Sequence, residues 1–178
     1  MFDGSKLPVQ ANIEATATVA GLAHAAGISC EGEIGLVGYQ GGVASAGTDP
    51  AEAARFARET GVDAMAISVG NLHLQTAAGE GLDLPRLQAI QVVTELPLVI
   101  HGGSGVPMDQ RAALAADSAI CKFNIGTELR QCFGRALREK IAGSPASFDR
   151  IELLQATEQP LIQATRLILR NLGASGRG

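Results

Sequence analysis

The segment His101-Gly102-Gly103-Ser104-Gly105 combines residue types that are suited to binding an anion and a metal. Glycines allow the backbone to approach an anion closely, and successive amide groups can then surround phosphate oxygens. The Ser104 hydroxyl adds another donor, and His101 is placed to bind a metal beside the phosphate. The segment therefore predicts a phosphate-binding loop with an adjacent metal ligand. The alternative is a glycine-rich turn that begins with a capping histidine.

A second segment, Asn124-Ile125-Gly126-Thr127, directly precedes a predicted helix. The first N–H groups of a helix have no partner within it and carry a partial positive charge, so a helix start is suited to phosphate. Taken alone, however, the segment is better explained by Thr127 as a helix N-cap with Arg130 solvated nearby.

Three further residues lie at the ends of predicted strands and carry groups that bind metals: His73, Asp3 and Glu33. Two imidazoles from neighbouring strands are typical transition-metal ligands, although two protein ligands do not complete a catalytic zinc site. The carboxylates are suited to a second cation or to proton transfer. Alternatively, His73 is a hydrogen-bonded structural residue and the carboxylates cap helices or pair with Lys6. His24 lies within a predicted helix and is expected to be solvated.

The elements that must position these residues alternate between short β-branched runs and longer helical stretches. Strands are predicted at residues 27–34, 62–69, 97–100 and 120–125, with Met1-Phe2 as the end of an earlier strand. Helices are predicted at 9–26, 50–60, 84–94, 107–116 and 127–142, with one long helix at 148–172. Such βα alternation predicts a parallel sheet with right-handed crossovers, in either a doubly wound sheet or a (β/α)8 barrel. In both, the chemistry lies at the carboxyl ends of the strands.

The composition excludes several classes of function. The 178 residues are 46% hydrophobic and 18% charged, which predicts one folded domain, and the net charge of −4 with one Tyr and no Trp argues against nucleic-acid binding. No apolar stretch approaches the roughly 20 residues that cross a membrane, and the first residues do not resemble a signal peptide. The three cysteines form no C-x-x-C pair, which favours reduced thiols in a cytoplasmic protein.

The motifs together, in this order, resemble the class II fructose-bisphosphate and tagatose-bisphosphate aldolase family. Phe2-Asp3-Gly4-Ser5 is similar to the end of the fourth strand of that family's barrel. Four further segments are similar, in this order, to the ends of its fifth to eighth strands: Glu31-Gly32-Glu33-Ile34-Gly35, Gly70-Asn71-Leu72-His73, His101-Gly102-Gly103-Ser104-Gly105 and Asn124-Ile125-Gly126-Thr127. The resemblance implies that residues 1–178 are an incomplete (β/α)8 TIM barrel, comprising strands four to eight and their helices.

The same resemblance implies a metal-dependent aldol reaction on a phosphorylated ketose. Zn²⁺, or another divalent metal, would stabilise the enediolate of dihydroxyacetone phosphate or a similar donor. His73 and His101 match two of the family's three zinc ligands, and Asp3 and Glu33 match carboxylates near a second cation site. The residues that match the segments holding the donor phosphate are Gly102, Gly103, Ser104, Asn124, Ile125, Gly126 and Thr127.

Three departures from the family pattern concern the substrate and the catalytic residues. The Asp-His-Gly motif that carries the acid/base aspartate and the third zinc histidine is absent from this sequence. The loop at residues 36–47 is shorter than usual and lacks an acidic cluster, and Leu74 stands where the family has a glycine. We therefore expect this chain to be inactive alone, and we retain two alternatives: a non-catalytic metal- or phosphate-binding fragment or remnant, and a different TIM-barrel phosphate enzyme.

Five βα units do not close an eight-stranded barrel, because the open edges leave backbone groups unpaired. The sequence is compatible with a fragment of a longer product, with two copies that cover each other's edges, or with a degenerate remnant. We expect a homo-oligomer, a dimer or a tetramer, without nucleic-acid or membrane partners.

Overall fold

A computed structural model of the chain describes residues 1–39, 41–42, 44–76, 79 and 81–176. The strands within these residues are β1 (Phe2–Asp3), β2 (Glu31–Ile34), β3 (Gly38–Tyr39), β4 (Ala64–Ile67), β5 (Leu72–His73), β6 (Leu98–Ile100) and β7 (Ile120–Phe123). The main sheet has the order β1-β2-β4-β6-β7 and is parallel throughout, whereas β3 and β5 form a separate parallel pair.

The strand order distinguishes between the two predicted architectures. The main strands follow one another in chain order from β1 to β7, without the reversal that defines a doubly wound sheet. A sequential parallel sheet with intervening helices is the arrangement of a (β/α)8 barrel, of which five strands are present here. β1 and β7 each pair with one described strand, as the predicted incomplete barrel requires.

The helices are α1 (Val9–Ala25), α2 (Pro50–Thr60), α3 (Leu84–Val93), α4 (Met108–Asp117), α5 (Thr127–Gly143), α6 (Arg150–Gln155) and α7 (Glu158–Asn171), with a 3₁₀ turn at Gly103–Gly105. Local signals explain α2 well. The Asp49 side chain accepts hydrogen bonds from the N–H groups of Ala51 and Glu52, Pro50 occupies the first turn, and Gly61 ends the helix at φ 68°.

The single helix predicted at residues 148–172 is wrong, because two helices, α6 and α7, occupy this stretch. Pro160 explains the break, since it has no N–H to bond the Ala156 carbonyl and its ring collides with that group in a continuous helix. Thr157 lies at the break, where its N–H and its hydroxyl both donate to the Leu154 carbonyl.

The predicted strands 27–34 and 62–69 are shorter in the structure. The chain before β2 is exposed at Ile28, and the Cys30 N–H donates to the Asp63 carboxylate, 2.6 Å away, rather than to a strand. Gln40 and Val43 of the shortened loop at 36–47 lie outside the described residues. Among the described helices, none combines the length and the hydropathy needed to cross a membrane.

The core lies between the sheet and helices α1 to α3, which contact one another in chain order. Phe56 of α2 and Met65 and Ile67 of β4 are fully buried. Gly32 in β2 permits this packing, because a Cβ there would lie 2.9 Å from both the Phe56 ring and a Thr16 methyl group. Tight packing on the helix side fixes β2, and residues 31 and 33 project from its opposite face.

Candidate active site

The carboxyl ends of β5, β6 and β7 surround a cavity of about 400 Å³. It is lined by His73, Leu74, Gly102, Ser104, Phe123, Asn124, Ile125, Gly126, Thr127 and Arg130. The structure thus brings together both predicted phosphate-binding segments and one of the predicted metal-binding histidines. Arg130, which the segment taken alone predicted to be solvated, lines this cavity and makes no ion pair with any described residue.

The glycine-rich loop is fixed by a close backbone crossing. Gly102 has φ 66°, and a Cβ at this position would lie 2.2 Å from the Leu72 carbonyl oxygen. Only glycine fits both the left-handed conformation and the contact. Gly103 is buried outside the cavity lining, and its N–H donates to the Asn124 carbonyl at 3.0 Å. This bond holds the two predicted phosphate-binding segments together.

The start of α5 is open toward an anion. Gly126, rather than Thr127, is the N-cap residue, and as a glycine it has no side chain to cap the helix. The first N–H groups of the helix are therefore free of a side-chain cap, apart from that of Glu128, which lies 3.3 Å from Ser104 Oγ. A helix start whose N-cap residue has no side chain, beside a serine hydroxyl and the Arg130 guanidinium, is an arrangement that attracts phosphate.

His101 is buried at the end of β6 between two carboxylates. Its Nε2 lies 2.9 Å from Glu31 Oε1, and its Nδ1 lies 3.0 Å from Glu33 Oε2. Burial acts to lower the pKa of His101, but the hydrogen bonds to Glu33 and Glu31 outweigh it and raise that pKa above its ordinary value. Because both ring nitrogens face carboxylate oxygens, this arrangement favours the protonated imidazolium form of His101.

Lys122 extends this charged network across the inner face of the sheet. Its Nζ donates to Glu31 Oε2 at 2.5 Å. Burial acts to raise the pKa of Glu31, but the hydrogen bonds from Lys122 and His101 lower it overall. Sequence reasoning assigned no role to Lys122 or Glu31. A charged residue within an apolar strand, and a glutamate two positions from Glu33 on the same strand face, were the available signals.

His73 has a different environment. Its ring centroid lies 5.0 Å from that of Tyr39 and 6.1 Å from that of His101, and its imidazole has no hydrogen-bond partner among the described residues. Burial, followed by the positive charge of His101, lowers the pKa of His73, although Glu33 and Asp3 act in the opposite direction. The lowered pKa favours the neutral imidazole, which is the form that binds a metal.

Asn71 connects the end of β4 to His101. It is almost fully buried, and its side-chain amide donates to the His101 carbonyl at 2.9 Å and to the Ile67 carbonyl at 3.2 Å. Its Oδ1 accepts from the Val69 N–H at 2.7 Å. One side chain thus connects the end of β4 to the residue that carries the buried imidazole.

The predicted metal ligands fit a divalent metal in part. His73 and His101 supply two neighbouring imidazoles, with Glu33 in contact with His101, and this donor chemistry suits zinc. No described group of three His, Cys, Asp or Glu side chains forms a metal site. Binding through His101 requires one of its two carboxylate contacts to open and the ring to lose a proton. The remaining ligands must come from other groups.

Asp3 is exposed at the end of β1 and forms a local turn. Its Oδ1 accepts from the Ser5 hydroxyl at 2.6 Å and from the Ser5 N–H at 3.0 Å. Burial acts to raise the pKa of Asp3, but these bonds and the charges of His101 and Lys6 lower it. Asp3 is therefore an ionised carboxylate whose charge reaches both histidines. Its assignment as a cation ligand stays a prediction.

Leu74 is the only described non-glycine residue with a positive φ, at 58°. Its side chain is about half exposed and lines the cavity next to His73. A left-handed conformation costs an L-residue roughly 1–2 kcal/mol. Strain of this kind at a binding site indicates that the local backbone direction is fixed by its surroundings.

Glycine at position 74 is expected to stabilise the protein relative to alanine. Leu74→Gly and Leu74→Ala lose the same exposed side chain, but only glycine relieves the positive φ. The free energy of unfolding of Leu74→Gly should therefore exceed that of Leu74→Ala by about 1 kcal/mol. Urea unfolding of the two variants measures this difference. Equal stabilities would mean that residue 74 leaves the left-handed region once leucine is removed.

Comparison with known proteins agrees with this geometry. The sequence model of the family described as fructose-bisphosphate aldolase class-II matches residues 1–177. The YdjI aldolase of Escherichia coli K12 is 27% identical with a TM-score of 0.81, over 98% of this chain and 60% of its own. A Coccidioides immitis protein assigned as a fructose-1,6-biphosphate aldolase is 25% identical, with a TM-score of 0.83. The match covers 99% of this chain and 63% of that protein's chain.

The fructose-bisphosphate aldolase of Campylobacter jejuni, at 21% identity and a TM-score of 0.76 over 96% of this chain and 58% of its own, has the same fold. This chain thus spans about three fifths of the length of the solved structures that it matches. The family match extends over nearly all of its residues. The chain belongs to the class II fructose-bisphosphate aldolase family.

Proposed function

We propose that residues 1–178 form part of one barrel domain and supply the donor-binding side of a metal-dependent aldolase. The enzyme would cleave or form a phosphorylated ketose, with dihydroxyacetone phosphate or a similar molecule as donor. The observation that carries this proposal is the cavity of about 400 Å³ in which His73 lies beside Ser104, the open start of α5 and Arg130. A donor with a phosphate and a carbonyl group requires an anion-binding environment and a metal-binding environment side by side. Ser104, the start of α5 and Arg130 would provide the first, and His73 the second.

In the proposed complex, the donor phosphate lies at the start of α5. The N–H groups of its first turn and the Ser104 hydroxyl surround the phosphate oxygens, and Arg130 contributes a positive charge at the cavity edge. Holding the phosphate here directs the donor's carbon atoms toward His73. The binding energy of a group that does not react thereby fixes the orientation of the group that does.

His73 and His101 would hold a divalent metal, for which zinc is our expectation, with Glu33 and Asp3 as neighbouring carboxylates. When bound, the metal would supply Lewis-acid stabilisation of the negative charge that develops on the donor oxygens as a C–H proton is removed. Glu31 and Lys122 keep His101 in place from the other side of its ring. The proton itself would be taken by a carboxylate outside residues 1–178, in accordance with the missing Asp-His-Gly motif.

The proposal is tested by lyase assays on the complete product of the gene, with ketose bisphosphates and ketose monophosphates as substrates. We expect release of the triose donor, loss of turnover in EDTA, and recovery on addition of Zn²⁺. Turnover that is unchanged by EDTA would indicate a different enzyme of this fold that acts on phosphorylated substrates. Phosphate and metal binding without any turnover would favour the alternative of a non-catalytic binding protein. A cytoplasmic location and a homo-oligomeric state, dimer or tetramer, are part of the same proposal.

A further inference from the structure

Arg111 of α4 is almost completely buried, with 2% of its surface exposed, although it carries a charge. Its guanidinium group reaches out of α4 to two other segments. Nη1 lies 2.6 Å from Glu128 Oε1 and Nη2 lies 3.4 Å from Glu128 Oε2, which makes a two-point ion pair. Nη1 also lies 3.4 Å from the Gly103 carbonyl oxygen.

The two partners of Arg111 belong to the two segments that line the cavity. Gly103 is part of the glycine-rich loop, and Glu128 is the second residue of α5. The loop and the helix are further joined by the Glu128 N–H to Ser104 Oγ, 3.3 Å, and the Gly103 N–H to the Asn124 carbonyl, 3.0 Å. Arg111 therefore lies behind the place where the loop meets the helix, and it is bonded to both.

Glu128 is an unfavourable neighbour for a phosphate. Its carboxylate is in the first turn of the helix whose N–H groups would bind the anion, and two negative charges at such short range repel each other. The guanidinium of Arg111 neutralises this carboxylate and directs it away from the cavity, which it does not line. The positive end of the helix is thereby left available to the ligand.

Stability alone does not account for a buried arginine at this position. The buried Arg111 guanidinium loses its hydration, while the Glu128 side chain stays 32% exposed. Such an ion pair often contributes no more to stability than apolar residues of the same volume. The pair is also incomplete, since Arg111 Nε is buried and has no hydrogen-bond partner among the described residues. An ion pair that costs desolvation and leaves a donor unsatisfied indicates a role in the site that it supports.

We propose that Arg111 is a positioning residue for phosphate recognition, which joins the glycine-rich loop to α5 and neutralises Glu128 so that the helix start can bind a dianion. This inference rests on the proposed function. Arg111 does not line the phosphate cavity, so it acts through Gly103 and Glu128. Removal of Arg111 leaves the Glu128 carboxylate unpaired beside the phosphate, and removal of both charges relieves the repulsion.

The test compares Arg111→Met, Glu128→Gln and the double variant in the complete product of the gene. Inorganic phosphate is titrated by calorimetry, and KM and kcat are measured with the phosphorylated substrate. We expect Arg111→Met to weaken phosphate binding and to raise KM by roughly ten- to a hundredfold, with kcat changed less than about threefold. The double variant should recover most of this loss, and the zinc content should stay at the wild-type value in all three.

The outcomes separate this inference from the proposed function. A wild-type protein that does not bind phosphate would contradict the proposed function. Wild-type binding with an unchanged affinity in Arg111→Met would overturn the role of Arg111, and so would a double variant that binds as weakly as Arg111→Met. If Arg111→Met does not fold, Arg111→Lys replaces it. Lysine keeps the charge but not the two-point geometry, so a smaller loss in the same direction is expected.

Discussion

Replacement of Gly102 by alanine is expected to destabilise the protein by about 2–5 kcal/mol, from roughly 1–2 for the left-handed conformation and 1–3 for the steric overlap. The added Cβ would lie 2.2 Å from the Leu72 carbonyl oxygen and 3.1 Å from the His73 nitrogen, which are both backbone atoms. Neither can move without shifting β5 and the imidazole that it carries. Urea unfolding measures the loss, and phosphate titration should show that the site is lost with it.

Gly61→Ala is the matched control for this substitution. Gly61 has almost the same φ, 68° against 66°, but a Cβ there has no atom within 4 Å. Its replacement should therefore cost only the left-handed conformation, about 1–2 kcal/mol. The difference between the two variants isolates the cost of the contact with Leu72. Equal losses at both positions would mean that the glycine-rich loop and β5 move apart easily, and that the cavity is not held by their crossing.

The elements that sequence reasoning placed correctly are those specified by local signals. The cap at Asp49, the proline at position 50 and the glycine at position 61 lie within a few residues of the helix that they delimit, so α2 was predicted at its observed bounds. The break between α6 and α7 was also a local signal, at Pro160, but a continuous apolar pattern concealed it. Strands of two residues, such as β3 and β5, are too short to show any periodicity.

The candidate site was predictable in its composition and not in its contacts. The glycine-rich loop and the start of α5 were recognisable, because both bind anions through backbone N–H groups. Glycine runs and helix starts can be identified from the local sequence. The partners of His101 were not, since Glu31 lies 70 residues away in the chain and Lys122 lies 91 residues from Glu31. Arg111 was also missed, because the charge pattern of α4 is that of an ordinary solvated helix.

Replacement of His101 by alanine is expected to abolish zinc binding and turnover. In the metal-free protein, it should also cost about 3–5 kcal/mol, because the buried Glu33 carboxylate loses its cation and Glu31 is left with Lys122 alone. Zinc content by elemental analysis and urea unfolding in EDTA measure the two effects separately. His24→Ala is the control for zinc content, since His24 pairs with Asp63 at a half-exposed position outside the cavity.

His73→Ala separates metal binding from the buried ion pairs. It should lose zinc as His101→Ala does, but should change the metal-free stability by less than about 1 kcal/mol, because the His73 ring has no hydrogen-bond partner among the described residues. Wild-type zinc content in either variant would contradict the assignment of these histidines as ligands.

The stability lost in His101→Ala should depend on pH in a definite direction. Because the pKa of His101 is raised in the folded protein, its ion pairs contribute fully below the ordinary imidazole pKa of about 6.5, and the contribution is lost as the pH rises through the raised value. The difference in the free energy of unfolding between wild type and His101→Ala, both without metal, should therefore be larger near the ordinary imidazole pKa than in alkaline solution. A gap that widens with rising pH would mean that His101 is neutral between the two carboxylates.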